Sequence, residues 1–142
     1  MNESADIFAR TLLLDAGPLI AAIDRSDEHH DWARRTLPRL KGRALTCEAC
    51  LAEVLHVLEN APAAIEALRA LLRRLEVVPV LGQEGDAVFA RVARFAPEMD
   101  LADGCLVALQ GRIPGSIVIT TDQRGFAVYR VPFLSPLGVF GG

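Results

Sequence analysis

Short runs of apolar residues alternate along this chain with longer segments in which apolar side chains recur at helical spacing. Two runs, Thr11–Leu14 and Ile117–Thr120, are continuous, as expected for strands that are covered on both faces of a parallel sheet. Ala44–Thr46, Val77–Val80 and Ala127–Val131 are predicted to be further strands. The pattern predicts an α/β fold of three layers, with a mostly parallel sheet of four to five strands between helices.

The segments between these strands carry the usual signals of helix ends. Pro18 suits the first turn of a helix, Thr46 and Asp27 are candidate N-caps, and Pro38 can kink or shorten the second helix. Gly111 is expected to end the last one. The predicted helices cover Leu19–Asp24, the residues from Asp27 towards Lys41, Cys47–Glu59, Ala63–Leu75, Glu84–Phe95 and Leu101–Gln110.

Composition and charge limit the classes of function. The 142 residues, 51% of them hydrophobic, suit a single domain spanning residues 1–142. The net charge of -3 argues against a protein that grips nucleic acid through bulk positive charge, although a local basic rim is compatible with it. Two arginine-rich clusters are either solvated helix faces or contacts for phosphates or an acidic partner, namely Arg34, Arg35, Arg39, Lys41 and Arg43, then Arg69, Arg73 and Arg74.

Compartment and membrane signals point to the cytoplasm. The three cysteines are odd in number and have no framework spacing, which indicates a reducing compartment. The N-terminal residues lack a basic segment typical of signal peptides. The most apolar early stretch, Thr11–Ile23, is interrupted by Asp15 and Pro18 and is too short to span a bilayer.

Two aspartates follow the two clearest predicted strands. Asp15 comes directly after the first, and Asp122 lies just beyond the end of Ile117–Thr120. Ligands of parallel α/β sheets bind outside the carboxyl ends of the strands. The sequence therefore predicts that both carboxylates lie at one edge of the sheet and take part in a site.

Two further carboxylates lie within apolar helical segments. Glu53 is in the middle of a predicted helix, where it is either a surface group or part of the site. Asp103, and Asp100 just before it, are near a helix start, so either can be an N-cap instead. Clustered carboxylates repel one another unless a cation neutralises them, and Mg²⁺ or Mn²⁺ prefers such oxygen ligands. A metal-dependent phosphodiesterase would need no nucleophilic side chain.

Four segments together resemble the PIN domain, and most closely the VapC-type toxins of bacterial toxin–antitoxin pairs. They are Leu14–Ala21, Glu53–His56, Leu101–Ala108 and Thr120–Phe126, which cover nearly the whole chain in order. The resemblance implies a Mg²⁺- or Mn²⁺-dependent endoribonuclease that acts on RNA. It also implies a homodimer and an antitoxin protein as partner.

Residue roles follow from this resemblance by position. It implies that Asp15, Glu53, Asp103 and Asp122 are the acidic quartet that binds the metal and performs catalysis. Thr120 would supply a hydroxyl that orients water or an acid, and Asp100 would be an accessory acid and metal ligand. The chain departs from the family pattern at Gly125, where members often have Asp, and at Gly104, where Ala is frequent.

Other interpretations remain open at this point. Cys47 and Cys50 form a CxxC, which suits buried structural cysteines better than zinc or thioredoxin-like chemistry. His29 and His30 can bind a metal or a phosphate, but a solvated helix start is favoured. A single Glu-x-x-His at Glu53–His56 does not make a di-iron site. The main alternative function is a catalytically inactive module of this fold that binds RNA or protein.

Overall fold

A computed structural model describes residues 7–141 of the chain. Its strands are β1 (Leu12–Leu14), β2 (Ala44–Thr46), β3 (Glu76–Val77), β4 (Ile117–Ile119), β5 (Phe133–Ser135) and β6 (Gly138–Phe140). Its helices are α1 (Ala16–Ile23), α2 (His30–Thr36), α3 (Glu48–Val57), α4 (Pro62–Leu72), α5 (Leu81–Arg94), α6 (Leu101–Arg112) and α7 (Gln123–Tyr129), with a 3₁₀ turn at Leu37–Arg39.

The strands of residues 7–141 form one sheet in the order β3-β2-β1-β4-β5-β6. All neighbouring strands are parallel except β6, which runs antiparallel to β5. Every residue of β1 and β4 is buried, which explains why their sequences are continuously apolar. The predicted α/β fold with a mostly parallel sheet flanked by helices is confirmed, with six strands instead of four or five.

Helix α6 is the most deeply buried helix near the sheet. Each residue of its central segment, Ala102–Leu109, is buried, and the helix contacts α3, α5 and β4. A helix that is covered on all sides need not show an amphipathic stripe. Its burial carries Asp103 into the interior, so the location of this acid depends on α6.

The predicted strand at Ala127–Val131 is wrong. The segment instead belongs to α7, which Asp122 starts by accepting the backbone N–H of Gly125, and which ends where Arg130 adopts a left-handed φ of 58°. The aromatic side chains of α7 pack inward against neighbouring rings. Tertiary packing and a cap thus override the strand preference of a short apolar run, and the last two strands lie further along the chain.

Several predicted helix ends also differ from the structure. Thr46 does not cap α3, because its hydroxyl donates to the Leu14 carbonyl oxygen at 2.9 Å and Cys47 takes the N-cap position. Helix α1 starts at Ala16, three residues before the predicted Leu19. Gly111 does not end α6, which continues to Arg112. Each difference lies at a helix end, the part of a helix whose bounds are the hardest to predict from sequence.

The helix predicted after Asp27 is shorter than expected. Asp27 accepts the backbone N–H of His29 in the preceding turn, and α2 begins only at His30. The helix then tightens into the 3₁₀ turn that contains Pro38. The predicted shortening by this proline is confirmed. Separately, none of the helices in residues 7–141 has the length and apolarity that a bilayer crossing requires.

Gly104 lets α5 and α6 approach closely, and its substitution should be destabilising. A Cβ atom there would lie 2.8 Å from Cγ2 of Val92 and 3.2 Å from Cγ1 of Val88. We expect Gly104→Ala to lower the free energy of unfolding by about 1 kcal/mol, since overpacking outweighs the gain in helix propensity. In Gly111→Ala, within the same helix, the nearest contact would be Arg91 at 3.8 Å, so this control should gain up to about 1 kcal/mol. Urea unfolding measures both, and equal gains in the two variants would contradict the account.

Candidate active site

Asp15 connects the end of β1 to the start of α1. It is the N-cap of α1, and its Oδ1 accepts the backbone N–H of Ala16 at 2.8 Å. Its Oδ2 accepts the hydroxyl hydrogen of Thr120 at 2.7 Å. The residue is only 6% exposed. Asp15 therefore lies at the carboxyl end of the central strand pair in a single fixed orientation.

Thr120 links the two aspartates that follow β1 and β4. Its side chain is fully buried, and the hydroxyl that donates to Asp15 also accepts the backbone N–H of Asp122 at 2.9 Å. The carboxylate of Asp122 is exposed, and its Oδ1 accepts the N–H of Gly125 at 3.2 Å. One buried hydroxyl thus fixes both the carboxylate of the buried Asp15 and the backbone of the exposed Asp122.

Asp100 and Asp103 form a reciprocal capping box at the start of α6. The backbone N–H of Asp103 donates to Oδ1 of Asp100 at 2.8 Å, and that of Asp100 lies 3.4 Å from Oδ2 of Asp103. Asp100 is exposed, whereas Asp103 is 6% exposed. Asp100 is therefore an N-cap, as one of the two interpretations predicts. Asp103 takes part in the same capping box, but capping alone does not require its side chain to be buried.

A tyrosine that the sequence did not single out contacts this group. The Tyr129 hydroxyl donates to Oδ2 of Asp103 at 2.9 Å. Its segment was expected to be a strand, and nothing in the spacing of Asp103 and Tyr129 indicates that they meet. The only signal in the sequence is that Tyr129 is the single tyrosine, in an apolar segment where a buried hydroxyl needs a partner.

Glu53 completes the arrangement from α3. Its side chain is half-buried, and burial raises its pKa, with further contributions from the negative charges of Asp100, Asp103 and Asp122. These charges act on Glu53 because the acids lie near one another. The structure therefore brings the four acids of the quartet, with Asp100 and Thr120, to one edge of the sheet.

The two buried acids carry the clearest electrostatic signature. Burial raises the pKa of Asp15 to about 7, opposed by its hydrogen bonds and reinforced by the charges of Glu53 and Asp100. Burial also raises the pKa of Asp103 to about 7, with the charges of Asp15 and Asp100 adding to it. No cationic side chain is among the groups that shift either pKa. Among residues 7–141, the ion pairs within 4.0 Å involve other acids, so none of the acids of this group is paired with a cationic side chain.

This donor set fits a hard divalent cation. Carboxylate oxygens are the ligands that Mg²⁺ and Mn²⁺ prefer, and an excess of negative charge favours binding. Within residues 7–141, no three histidine, cysteine or acidic side chains are arranged as a ready-made metal cage. Mg²⁺ commonly keeps several water ligands and binds through one or two carboxylates, so a complete cage is not required.

The other candidate residues lie outside this acidic group. The Nδ1 atom of His30 lies 2.6 Å from the Ala21 carbonyl oxygen, which accounts for this ring without a metal. Cys47 and Cys50 are buried free thiols with their sulfur atoms 3.6 Å apart. The hydrogen bond with Cys47 and burial raise the pKa of Cys50, and the charge of Asp15 adds to this rise, so the thiols approach the site from inside the core.

Removing the Thr120 hydroxyl should destabilise the protein more than removing its methyl group. We expect Thr120→Val to lower the free energy of unfolding by about 2 kcal/mol, because a buried carboxylate oxygen and a backbone N–H lose their partner. Thr120→Ser keeps the hydroxyl and should lose about 1 kcal/mol or less. Chemical denaturation at pH 7 compares them. A Val variant as stable as the wild type would show that the hydroxyl holds neither acid.

Comparisons with solved structures agree on the fold. VapC20 from Mycobacterium tuberculosis, described as a sarcin–ricin loop cleaving toxin, superposes with a TM-score of 0.70 at 18% identity, covering 82% of this chain and 94% of that one. VapBC2 from Rickettsia felis, bound to a DNA fragment from its promoter, gives a TM-score of 0.61 at 13% identity, with 83% and 92% covered. DNA-bound VapBC from Salmonella typhimurium gives 0.59 at 22% identity, with 83% and 91% covered.

These identities are low, so the likeness to the toxin structures establishes a shared fold. A search of curated proteins finds no match. A family model for the PIN domain matches residues 12–133, a stretch that runs from β1 into β5 and contains all of the acids described above. The chain belongs to the PIN domain family.

Proposed function

We propose that this protein is a Mg²⁺- or Mn²⁺-dependent endoribonuclease whose cation is held by Asp15, Glu53, Asp103 and Asp122. The observation that carries the proposal is the pair of buried acids, Asp15 and Asp103, whose pKa is raised to about 7 with no cationic side chain contributing. Burying two neighbouring carboxylates destabilises a protein unless something compensates, and such groups concentrate at functional sites. A divalent cation is the compensation that this donor set suits.

Each residue of the chain has a distinct part in the proposed reaction. Asp15 and Asp103 are fixed and buried, so they hold the cation from the inside. Asp122 is exposed and Glu53 half-buried, so they face the side from which RNA approaches. The raised pKa of Glu53 suits it to take up a proton from water. A bound cation would supply a more acidic water and a polarised phosphoryl oxygen.

The experiment compares the wild type with Asp15→Asn on a mixed RNA pool. With Mn²⁺ present, we expect the wild type to cleave RNA and the variant to lose cleavage, since Asn keeps the shape but not the charge. Circular dichroism and thermal unfolding check that both proteins are folded. If folded wild-type protein binds RNA without cleaving it under any divalent cation, the chain is an inactive binding module and the proposal fails.

We further propose that the nuclease is the toxin of a toxin–antitoxin pair that acts in the cytoplasm. The support is the shared fold with VapC20, described as a sarcin–ricin loop cleaving toxin, and with VapBC assemblies. Expression of the wild type should arrest bacterial growth, and Asp15→Asn should not. Coexpression of a short open reading frame adjacent to this gene should relieve the arrest. Unimpaired growth with active wild-type enzyme would contradict the toxin role.

A groove between three helices suits the proposed antitoxin. It measures about 450 Å³ and lies between α1, α2 and α4, with a floor that includes Ala33 and Leu71. Arg34 and Arg74, which come from the two arginine-rich clusters, line it together with Arg25. Two other members of the clusters form ion pairs elsewhere, since Arg43 pairs with Glu76 at 2.9 Å and Arg69 with Glu66 at 3.4 Å. An apolar floor with a basic rim favours a partner segment with both apolar and acidic side chains.

The proposed homodimer has support from exposed apolar side chains. Phe89 is 58% exposed and Leu137 is 72% exposed, and burying these side chains against a second copy of the chain would remove apolar surface from water. Sedimentation at micromolar concentration should give twice the mass of one chain. A single-chain mass over that range would exclude the dimer without affecting the proposed chemistry.

A further inference from the structure

The hydroxyl of Tyr129 has a fixed location beside the candidate site. The residue is 5% exposed, and its ring packs edge-on against Phe95 and Phe126, with ring centroids 5.4 and 5.2 Å away. Edge-to-face aromatic pairs are attractive beyond the apolar area that they bury, so both partners favour this orientation of the ring. Since the ring cannot move freely, the hydroxyl that donates to Oδ2 of Asp103 holds one oxygen of that carboxylate in place.

Gly125 leaves the space in which this contact is made. A Cβ atom at this position would lie 2.7 Å from Oδ2 of Asp122 and 3.2 Å from the hydroxyl oxygen of Tyr129. The first of these distances is too short for any side chain to be accepted without a shift. The carboxylate of Asp122 and the phenol of Tyr129 therefore flank one backbone position that has no side chain.

The two ends of helix α7 contact different acids, Asp122 at its start and Asp103 at its end. Asp122 is its N-cap, and Tyr129 is its last residue. The Asp122 carboxylate accepts the N–H of Gly125, while the Tyr129 hydroxyl donates to Asp103 on a different helix. A shift of this two-turn helix would move both contacts at once. The hydrogen bond of Tyr129 thus links α7, which Asp122 caps, to Asp103 on α6.

We propose that Tyr129 is a positioning residue of the nuclease: its hydroxyl occupies Oδ2 of Asp103, leaves Oδ1 for the cation, and through α7 sets the distance between Asp103 and Asp122. This inference rests on the proposed ribonuclease function. Groups that hydrogen-bond to metal ligands orient them, and their removal typically lowers metal affinity or activity by about tenfold to a hundredfold.

Tyr129→Phe removes the hydroxyl alone and keeps the ring. We expect its Mn²⁺ affinity, measured by calorimetry, to be about tenfold weaker than that of the wild type. The turnover number at saturating Mn²⁺ should fall as well, while the KM for RNA stays within about twofold. A tyrosine that merely satisfies its own hydrogen bond would change thermal stability without changing cation affinity.

Ser116→Ala is the matched control. Ser116 is fully buried and donates its hydroxyl to the Ile113 carbonyl oxygen at 2.7 Å, at the opposite end of β4. It should lose stability to a similar degree and bind Mn²⁺ as the wild type does. If Tyr129→Phe also binds Mn²⁺ with wild-type affinity, the inference is overturned while the proposed function stands. If the wild type binds no Mn²⁺ and cleaves no RNA, the proposed function fails, and the inference with it.

The single tyrosine of the chain allows a second measurement that does not depend on activity. With ¹³C at the ζ carbon of tyrosine, the protein gives one resonance, which reports the hydrogen bond of the phenol. We expect it to shift when Mg²⁺ is added to the wild type and when Asp103 is replaced in Asp103→Asn without metal. A resonance that responds to neither change would overturn the contact between Tyr129 and Asp103.

Discussion

Replacing Asp103 by Asn is expected to lower RNA cleavage on the order of a thousandfold without unfolding the protein. Asp103 is 6% exposed, and its carboxylate is fixed by the Tyr129 hydroxyl and the capping box. Asn keeps the size of the side chain and removes the charge that the cation requires. Because burial raises the pKa of Asp103 to about 7, removing this charge should not lower stability above that pH in the absence of metal.

Asp100→Asn is the internal comparison for this loss. Asp100 is exposed and caps the same helix, and Asn is as good an N-cap as Asp. Because Asp100 is an accessory acid of the proposed site, its replacement should lower the rate of RNA cleavage by about tenfold or less. Initial rates on labelled RNA, with circular dichroism as the fold control, separate the two variants. Wild-type activity in a folded Asp103→Asn protein would remove the buried acid from the proposed site.

The metal-free protein is expected to lose stability as the pH rises from 5 to 7. The pKa of Asp15 and of Asp103 is about 7 in the folded protein and 3.8 in the reference state. In this range the folded state binds more protons than the unfolded state, so the free energy of unfolding falls with rising pH. Each pKa unit corresponds to about 1.4 kcal/mol, so each acid lowers the free energy of unfolding by about 2 kcal/mol over this range, and the two together by about 4 kcal/mol.

The window from pH 5 to 7 isolates these two acids from groups that act in the opposite direction. A hydrogen bond from Ser26 lowers the pKa of Asp24, and Arg43 lowers that of Glu76, so the stability that these two acids contribute is complete within the window and is lost only at lower pH. A hydrogen bond involving Cys50 lowers the pKa of Cys47 to about 7, which adds stability above the window. Urea unfolding in metal-free buffer measures the slope, and Asp103→Asn should flatten it.

Saturating Mg²⁺ or Mn²⁺ should restore the lost stability at pH 7. A cation at a hundred times its dissociation constant stabilises the folded state by about 2.7 kcal/mol if it binds only that state. The gain should be absent in Asp15→Asn. Stability that rises from pH 5 to 7 and does not respond to divalent cations would contradict the electrostatic account of the site.

The sequence was sufficient for the parts of the fold that local chemistry decides. The continuous apolar runs at Leu12–Leu14 and Ile117–Ile119 are strands, and the aspartates that follow them meet through Thr120. These features are predictable because an apolar run covered on both faces has few alternatives, and because parallel strands bring their carboxyl ends to one edge.

The contacts that depend on tertiary packing could not be predicted in the same way. The largely apolar run around Tyr129 predicts a strand, whereas a cap at Asp122 and packing between aromatic rings make the segment helical up to Tyr129. Thr46 has the sequence of a cap but donates to the neighbouring strand. In both cases a partner distant in sequence decides between two locally acceptable conformations.

The departures from the family pattern also acquire a physical reason. Gly104 stands where Val88 and Val92 fill the space that a methyl group would occupy. Gly125 stands where a Cβ atom would lie 2.7 Å from Oδ2 of Asp122 and 3.2 Å from the hydroxyl oxygen of Tyr129, so a side chain there would require the Asp122 carboxylate to shift. Gly104 permits close approach of α5 to α6, and Gly125 permits the Tyr129 hydroxyl to lie close to the carboxylate of Asp122. The acidic group in this chain is therefore supported by Tyr129 on one side and Thr120 on the other.

The chemistry of the RNA ends, with and without chelator, tests the central claim most directly. The account predicts that the wild type cleaves an RNA pool in Mn²⁺, stops in excess EDTA and resumes when Mn²⁺ is restored in excess. It also predicts products without 2′,3′-cyclic phosphate, because water and not the RNA 2′-hydroxyl attacks the phosphorus. Cleavage that continues in EDTA, or products that end in cyclic phosphate, would contradict a cation-dependent hydrolysis at these acids.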